Sequence, residues 1–185
     1  MKLIKVDSAS KYYLKKRYNL TINKHELLLI TGTNGSGKTT LIKLILGFVK
    51  PDVGKIIKYK KIKFNYLPEK SYLPYFQTAY DYLSLISKLK KVELDIKLLI
   101  ELDIPLYKQI GHLSKGNYQR VAIASSLIGN SDLIILDEPL SGLDRKTCNT
   151  LKRIIKRLLE AGKSIIISTH NPKVFEKMAT YHLAL

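Results

Sequence analysis

Apolar residues along the chain occur in short continuous runs that alternate with amphipathic stretches. The runs at 25–31, 133–136 and 164–168 are typical of buried strands, because a strand buried on both faces is apolar throughout. The stretches 38–48 and 145–161 place their apolar residues on one side at helical spacing. Strands that alternate with helices predict an α/β fold with a parallel sheet.

Two other regions have different patterns. Residues 56–67 alternate apolar and polar positions, as a half-buried strand does. The stretch 69–112 is rich in Tyr and Leu and predicts two or three helices. Four of its residues, spaced near three, predict one helix face: Tyr80, Leu83, Ile86 and Leu89. We interpret this stretch as a helical insert between two halves of an α/β core.

The composition fits one globular domain. The chain has 185 residues, of which 45% are hydrophobic and 25% charged. No apolar run approaches the roughly 18 residues of a membrane span, and the N-terminus lacks the apolar core of a secretion signal. The single cysteine, Cys148, excludes an internal disulfide. These features favour a reducing, cytoplasmic location.

Charge adds one open question. Lys and Arg total 32 and Asp and Glu total 15, so the net charge is +17. Most of the cations are Lys, which is consistent with the coding bias of an AT-rich genome. The alternative is attraction to an anionic partner, either nucleic acid or the cytoplasmic surface of a membrane.

The clearest chemical motif is the glycine-rich turn after the first buried strand. It matches the phosphate-loop pattern G-x-x-x-x-G-K-[ST] and consists of Gly32, Thr33, Asn34, Gly35, Ser36, Gly37, Lys38 and Thr39. Glycines allow successive backbone N–H groups to point at phosphate oxygens, and the following helix adds the positive end of its dipole. Lys38 can reach the β- and γ-phosphates, and the Thr39 hydroxyl can ligate magnesium.

Two carboxylates end the second buried strand. Asp137 and Glu138 follow residues 133–136, and ligands of open α/β sheets bind at the carboxyl ends of the strands. We therefore expect Asp137 to hold magnesium through water and Glu138 to polarise an attacking water. Pro139 then ends the strand.

The segment 113–120, Leu-Ser-Lys-Gly-Asn-Tyr-Gln-Arg, predicts the start of a helix with Ser114 as its N-cap. It also resembles the signature of the ATP-binding cassette (ABC) family, LSGGQ followed closely by QR. Ser114 and Gly116 match that signature, whereas Lys115 and Asn117 depart from it. With the phosphate loop and the acidic strand end, nearly the whole chain resembles the nucleotide-binding subunit of an ABC protein.

The resemblance implies a fold and a domain plan. The family has a P-loop NTPase (RecA-like) core with a parallel-rich sheet flanked by helices, an N-terminal antiparallel β portion and an inserted α-helical subdomain. In this chain, residues 1–68 and 113–185 would form the ATP-binding core and residues 69–112 the helical subdomain of a single ABC ATPase domain. Only 15 residues follow His170, so most of the family's last strands and helix would be missing, as in a minimal subunit.

The resemblance also assigns roles outside these motifs. Residues 141–144 resemble the D-loop, and 168–170 resemble the switch region, whose His170 would contact the γ-phosphate. Glu69 follows an apolar strand where the family has its Q-loop glutamine, and Gln77 is the alternative. Tyr13 aligns with the aromatic residue that stacks on adenine, the alternative being a core tyrosine.

The implied ligands are ATP and Mg²⁺. Contacts to ATP are implied for Tyr13, Gly32, Thr33, Asn34, Gly35, Ser36, Gly37, Lys38, Thr39, Thr40, Glu69, Ser114, Gly116 and Asp144. The residues that would hold Mg²⁺ are Thr39, Asp137 and Glu69. The catalytic residues would be Glu138, His170 and Lys38.

The resemblance further implies partners. Two subunits of this family face head to tail around two ATP, so we expect a second ATP-binding subunit, either another copy or a close paralogue. A separate integral membrane permease would place the chain on the inner face of the cell membrane, where its charge would suit an anionic membrane surface. YLPE and LSKG resemble variants found in bacterial exporters of peptides, drugs or lipids, so we expect export.

Two other functions stay open at this point. One is a soluble ABC ATPase acting on nucleic acid or ribosomes, which the charge alone supports. Such proteins usually have paired cassettes, long coiled coils or zinc modules, and this sequence shows none of these. No specific nucleic acid is therefore expected as a partner. The other is an orphan ATPase domain with a regulatory role.

Overall fold

The computed structural model describes residues 1–14 and 16–185, and this part of the chain forms two β-sheets. The strands are β1 Lys2–Ser10, β2 Tyr18–Asn23, β3 Leu27–Thr31, β4 Val53–Lys58, β5 Phe64–Leu67, β6 Leu133–Asp137, β7 Ser164–Thr169 and β8 Tyr181–Ala184. The helices are α1 Lys38–Leu46, α2 Ala79–Leu89, α3 Ile96–Glu101, α4 Lys115–Leu127 and α5 Arg145–Glu160, with short 3₁₀ turns at Ile110–His112, Pro172–Val174 and Glu176–Met178. Within the described residues, no helix is both long and apolar enough to cross a bilayer.

The larger sheet is parallel and has the order β5-β6-β7-β3-β8. Its continuous apolar runs arise because both faces are covered. In β3, Leu27 and Leu29 pack with α2, α4 and α5, whereas Leu28 and Ile30 pack with α1 and the smaller sheet. The predicted α/β fold, with its parallel sheet flanked by helices, is confirmed.

The smaller sheet is antiparallel, in the order β2-β1-β4, and contains the first strands of the chain. The strand-like alternation in residues 56–67 belongs to two strands in different sheets. β4 ends at Lys58 and pairs with β1, whereas β5 begins at Phe64 and pairs with β6 in the other sheet. Only β5 alternates in burial, with Asn65 and Leu67 buried, since β4 has no buried residue.

Residues 69–112 contain α2, α3 and a 3₁₀ turn, and the predicted face of α2 is correct at Leu83 and Ile86 but not at its two ends. Ala79, Leu83 and Ser87 are buried, while Tyr80 and Leu89 are exposed. The expected face is wrong at its ends because a spacing of three drifts around a helix of 3.6 residues per turn. Positions 80 and 89 consequently lie about half a turn apart.

Tyr118 of α4 fastens the segment that follows β5 to the rest of the fold. Its hydroxyl donates to the Ser71 carbonyl at 2.9 Å and accepts from the Leu73 N–H at 2.7 Å. Burial is the main cause of the raised pKa of Tyr118. The contact holds the stretch just after Glu69 against the core.

Two substitutions on α2 test which face is buried. We expect Leu83→Ala to lower the free energy of unfolding by about 2–5 kcal/mol, because it opens a cavity in the core. Leu89→Ala removes the same atoms from a residue that is 70% exposed, and should change stability by less than about 0.5 kcal/mol. Urea unfolding of both variants checks the prediction, and equal losses would contradict the observed face.

Candidate functional site

The turn between β3 and α1 closes around the Lys38 side chain. Lys38 Nζ donates to the Gly32 carbonyl at 2.9 Å and to the Thr33 carbonyl at 3.2 Å, and Lys38 is only 6% exposed. Gly37 has a φ of 100°, in the region that favours glycine. A Cβ at Gly32 would lie 2.5 Å from Ser36 Oγ. The predicted phosphate loop is therefore a tight backbone turn around one buried ammonium.

Asp137 connects three elements at the carboxyl ends of the central strands. Thr39 Oγ1, in the first turn of α1, donates to Asp137 Oδ2 at 2.8 Å. Ser168 Oγ, near the end of β7, donates to Asp137 Oδ1. Burial raises the pKa of Asp137, while these two hydrogen bonds act in the opposite direction. The carboxylate thus lies beside the threonine that was expected to share a magnesium ion with it.

Glu138 leaves β6 in a left-handed conformation. Its φ is 50°, a strained value for a residue with a side chain. Its backbone N–H donates to the Ser168 carbonyl at 3.0 Å, and its Oε2 lies 2.9 Å from His170 Nδ1. Glu138 Oε1 is 3.3 Å from Lys38 Nζ, yet it is buried and has no hydrogen-bond partner among the described residues. The turn therefore holds Oε2 beside His170 and leaves Oε1, beside Lys38, without a hydrogen bond among the described residues.

One cavity of about 290 Å³ brings most of the predicted ATP contacts together. Its walls are Tyr13, Leu14, Asn34, Gly35, Ser36, Gly37, Lys38, Thr39, Thr40, Glu69 and Glu138. Four further residues do not line the cavity but are hydrogen-bonded to residues that do: Gly32, Thr33, Asp137 and His170. Glu69 lies on the wall, whereas Gln77, its alternative, does not.

Ser114 and Gly116 belong to a second group, which does not line this cavity. Ser114 Oγ accepts from the Asn117 N–H at 3.3 Å, so the predicted N-cap of α4 is present. A Cβ at Gly116 would lie 3.3 Å from the Gly142 carbonyl oxygen. The signature segment and the segment 141–144 are thus packed together, apart from the phosphate-loop cavity.

Asp144, in the same second group, is occupied by contacts within the chain. Its Oδ1 accepts from the Thr147 N–H at 2.7 Å, which caps α5, and its Oδ2 accepts from Arg120 Nη2 at 3.0 Å. The Thr147 hydrogen bonds and then Arg120 lower the pKa of Asp144. Arg120 also donates to the Asp103 carboxylate at 3.1 Å. A role of Asp144 in contacting ATP stays a prediction, because it does not line the cavity.

Two residues that support the cavity were missed by sequence reasoning. Tyr18 donates its hydroxyl to the Gly37 carbonyl at 3.0 Å. Asp52 accepts from the Tyr12 N–H at 2.8 Å and so holds the segment that carries Tyr13. Both act across long sequence separations, between strands or turns of different elements. No local pattern or spacing signals such contacts.

The chemistry of the cavity fits a nucleoside triphosphate. Ser36 Oγ, like Glu138 Oε1, is buried without a hydrogen-bond partner in the part of the chain that the structure describes. The lysine ammonium and the N-terminus of α1 both favour anionic oxygens. Tyr13 contributes a half-exposed ring to the wall of the cavity.

Sequence comparison identifies relatives over nearly the whole chain. The profile of the ABC transporter family matches residues 15–141. An uncharacterized ABC transporter ATP-binding protein of Methanocaldococcus jannaschii is 36% identical over 194 aligned residues, covering 98% of this chain and 73% of that protein. A zinc import ATP-binding protein of Wigglesworthia glossinidia brevipalpis is 36% identical over 171 residues, covering 86% and 72%. Three other relatives are covered over only 54%, 49% and 25% of their length.

Solved structures show the same architecture. A dimeric bacterial ABC transporter cassette superposes with a TM-score of 0.86 at 26% identity, covering 99% of this chain and 94% of that one. An archaeal ribosome recycling factor, solved with a ribosomal stalk protein, gives a TM-score of 0.80 at 30% identity, covering all of this chain but 36% of that one.

Removing Asp52 should loosen the segment that carries Tyr13. Lys11 Nζ donates to Asp52 Oδ1 at 2.6 Å, and this hydrogen bond, followed by that of the Tyr12 N–H, lowers the pKa of Asp52. A lowered pKa in the folded state stabilises the protein above the unfolded-state pKa of about 3.9, and the effect is lost as the pH falls further. We therefore expect Asp52→Ala to lower the Tm at pH 7.

The Tm difference between the wild type and Asp52→Ala should shrink as the pH falls below about 4. Asp7→Ala is the matched control, because among the described residues the side chain of Asp7 makes a partly exposed ion pair with Lys5 at 3.4 Å and no other ion pair or hydrogen bond. It should lower the Tm at pH 7 by less than Asp52→Ala does. A Tm difference for Asp52→Ala that grows on acidification would contradict the predicted sign.

Proposed function

The chain belongs to the ABC transporter family, whose cassettes are ATPases, and we propose that it is the ATP-binding and ATP-hydrolysing subunit of a membrane transporter. The observation that carries the proposal is the cavity shared by the phosphate loop, Glu69 and Glu138. That combination supplies both a phosphate cradle and a carboxylate suited to activate water.

ATP would occupy this cavity, with its phosphates at the loop and its base near Tyr13. The residues proposed to contact the phosphates are Gly32, Thr33, Asn34, Gly35, Ser36, Gly37, Lys38, Thr39 and Thr40. Support comes from the buried ammonium of Lys38 and the unpartnered Ser36 hydroxyl, which both suit phosphate oxygens. The half-exposed ring of Tyr13 on the cavity wall suits stacking on adenine.

Magnesium is the proposed companion ion. Thr39, Asp137 and Glu69 offer the hard oxygen donors that this ion prefers, and it is commonly bound by one or two carboxylates together with substrate phosphates. When bound, the ion would neutralise charge that develops on the phosphate oxygens. Asp137 and Thr39 are already joined by a 2.8 Å hydrogen bond, which supports a shared site.

Glu138 is the proposed general base. Its free Oε1 can accept a hydrogen bond from an attacking water, while Oε2 is held by the ring and the backbone N–H of His170. His170 would thereby orient Glu138. Its proposed contact with the γ-phosphate would link the position of that phosphate to the position of Glu138. Lys38, whose ammonium lies 3.3 Å from Glu138 Oε1, would balance the charge of the phosphate oxygens.

A second ATP-binding subunit is the proposed partner, either another copy or a close paralogue. Ser114, Gly116 and Asp144 form a group of their own outside the cavity, so they are suited to contact ATP held by the partner chain. The similarity to a dimeric cassette supports pairing of two chains, for which we propose a head-to-tail arrangement. Each chain would then supply half of two ATP sites.

A membrane permease is the other proposed partner, docking on the helical subdomain, residues 69–112. Tyr72 and Phe76, just after Glu69, are 90% and 93% exposed, which suits an interface. Docking would bring the chain to the inner face of the membrane, where its net charge of +17 favours anionic lipid. The expected export of peptides, drugs or lipids has no support, and two relatives whose names state a direction are zinc import proteins. We therefore favour import.

A second candidate is an ATPase that acts on ribosomes or nucleic acid. The similarity to a ribosome recycling factor and the charge of +17 favour it. This chain covers only 36% of that factor, so the remaining parts of that protein have no counterpart in the comparison.

Glu138→Gln is the first test of hydrolysis. The amide keeps the size of the side chain but cannot accept the proton, so we expect the hydrolysis rate to fall by about 10²–10⁴-fold. ATP binding, measured with a fluorescent nucleotide, should persist. Lys38→Ala should instead abolish binding. Near-normal turnover by Glu138→Gln would contradict the role of Glu138.

A pull-down with tagged Glu138→Gln separates the two candidate functions. The variant is incubated with ATP and magnesium in detergent-solubilised membranes and in ribosome fractions, and the captured proteins are identified by mass spectrometry. A polytopic membrane protein is expected, and it should be lost when Lys38→Ala is added to the same chain. Capture of ribosomal proteins without a membrane partner would favour the second candidate.

A further inference from the structure

Tyr18 links the antiparallel sheet to the phosphate loop. It begins β2, is 2% exposed, and donates its hydroxyl to the Gly37 carbonyl at 3.0 Å. Gly37 directly precedes Lys38 and caps α1 with a φ of 100°. A Cβ at Gly37 would collide with the Tyr18 hydroxyl. Tyr18 therefore contacts the backbone of the loop, although it is not part of the cavity wall.

The Tyr18 hydroxyl acts as a donor in this contact. A carbonyl oxygen can only accept, and burial, together with the nearby Tyr13, raises the pKa of Tyr18 to about 12. The hydroxyl is consequently protonated at neutral pH. The Gly37 carbonyl also accepts from the Leu41 N–H at 2.9 Å. A carbonyl oxygen has two acceptor sites, so Leu41 and Tyr18 can both bond to it, and the tyrosine adds a second directional constraint.

The hydrogen bond from Tyr18 constrains the Gly37–Lys38 peptide, which lies at the cavity wall. The Gly37 carbonyl and the Lys38 N–H belong to one planar trans peptide and point in opposite directions. Fixing the carbonyl from outside therefore fixes the direction of the Lys38 N–H. Gly37 and Lys38 both line the cavity.

The same contact reaches the side of the cavity next to Tyr13. Leu14, which also lines the cavity, has its Cδ2 3.4 Å from the position of a Cβ at Gly37. Tyr18, Leu14 and Gly37 thus form one packed junction. The junction joins the segment that carries Tyr13 to the end of the phosphate loop.

We propose that Tyr18 is a positioning residue for nucleotide binding, whose hydroxyl orients the Gly37–Lys38 peptide for contact with phosphate. The proposal rests on the proposed function, because it requires nucleotide phosphates in the loop. It adds a residue that holds the loop from the antiparallel sheet, on the side away from the cavity.

Tyr18→Phe tests the proposal, because it keeps the ring and removes only the hydroxyl. We expect the Kd for ATP, measured calorimetrically with magnesium, to rise by about three- to tenfold, in line with the loss of one hydrogen bond. The affinity for inorganic tripolyphosphate should fall by the same factor, because Tyr18 would act on the part of the site that binds phosphates and not on the part that binds the base. In nucleotide-free protein, the amides of residues 33–38 should exchange hydrogen faster than in the wild type.

Ser87→Ala is the matched control. It also removes a buried hydroxyl that donates to a backbone carbonyl, that of Val92, and Ser87 does not line the cavity. It should lower the Tm as Tyr18→Phe does, yet leave the Kd for ATP unchanged.

The outcomes separate the proposal from the proposed function. A lower Tm for Tyr18→Phe with wild-type Kd and wild-type exchange at 33–38 would reduce Tyr18 to a structural residue and overturn the proposal. Weaker ATP binding with unchanged tripolyphosphate binding would also overturn it, since the effect would then lie at the base. A wild-type chain that binds neither ligand would refute the proposed function itself.

Discussion

The hydrogen bonds to Asp137 are the constraint on which the site depends. Thr39 of α1 and Ser168 of β7 both donate to this carboxylate at the end of β6. A buried carboxylate must be paired or hydrogen-bonded, so these donors offset the cost of burying it. The phosphate loop, the acidic strand end and the switch strand are thereby held in one arrangement. The left-handed turn at Glu138 depends on the same support, because its N–H donates to the Ser168 carbonyl.

Charge then determines what the site accepts. Lys38, Asp137 and Glu138 are all buried, so the described site contains one ammonium and two carboxylates. Lys38 donates to carbonyls of its own loop, and its nearest carboxylate oxygen, on Glu138, is 3.3 Å away. Such an arrangement suits a ligand that brings both negative charge and a bound cation. Ser114 and Asp144 do not line this cavity, which is why the proposed function includes a second chain that completes each site.

The motifs predicted which residues of the cavity lie close together, and periodicity predicted the α/β fold but not the full buried face of α2. The phosphate loop, Asp137 and Glu138 were found because backbone turns and strand ends fix their positions within a few residues. Spacing failed on α2, where Tyr80 and Leu89 are exposed, since the buried face depends on which side meets α4. Tyr18 was missed because its contact with Gly37 joins two elements 19 residues apart. Local sequence contains no information on how the antiparallel sheet packs against the loop.

The mass of Glu138→Gln in solution, measured by light scattering after size exclusion, tests most directly whether one chain holds half of each ATP site. The variant should elute at the monomer mass of 21.1 kDa without nucleotide and at twice that mass with ATP and magnesium. Ser114→Arg in the same background should prevent the increase while preserving ATP binding. Saturated ATP binding by a chain that stays monomeric at high concentration would contradict a site completed by a second copy of this chain.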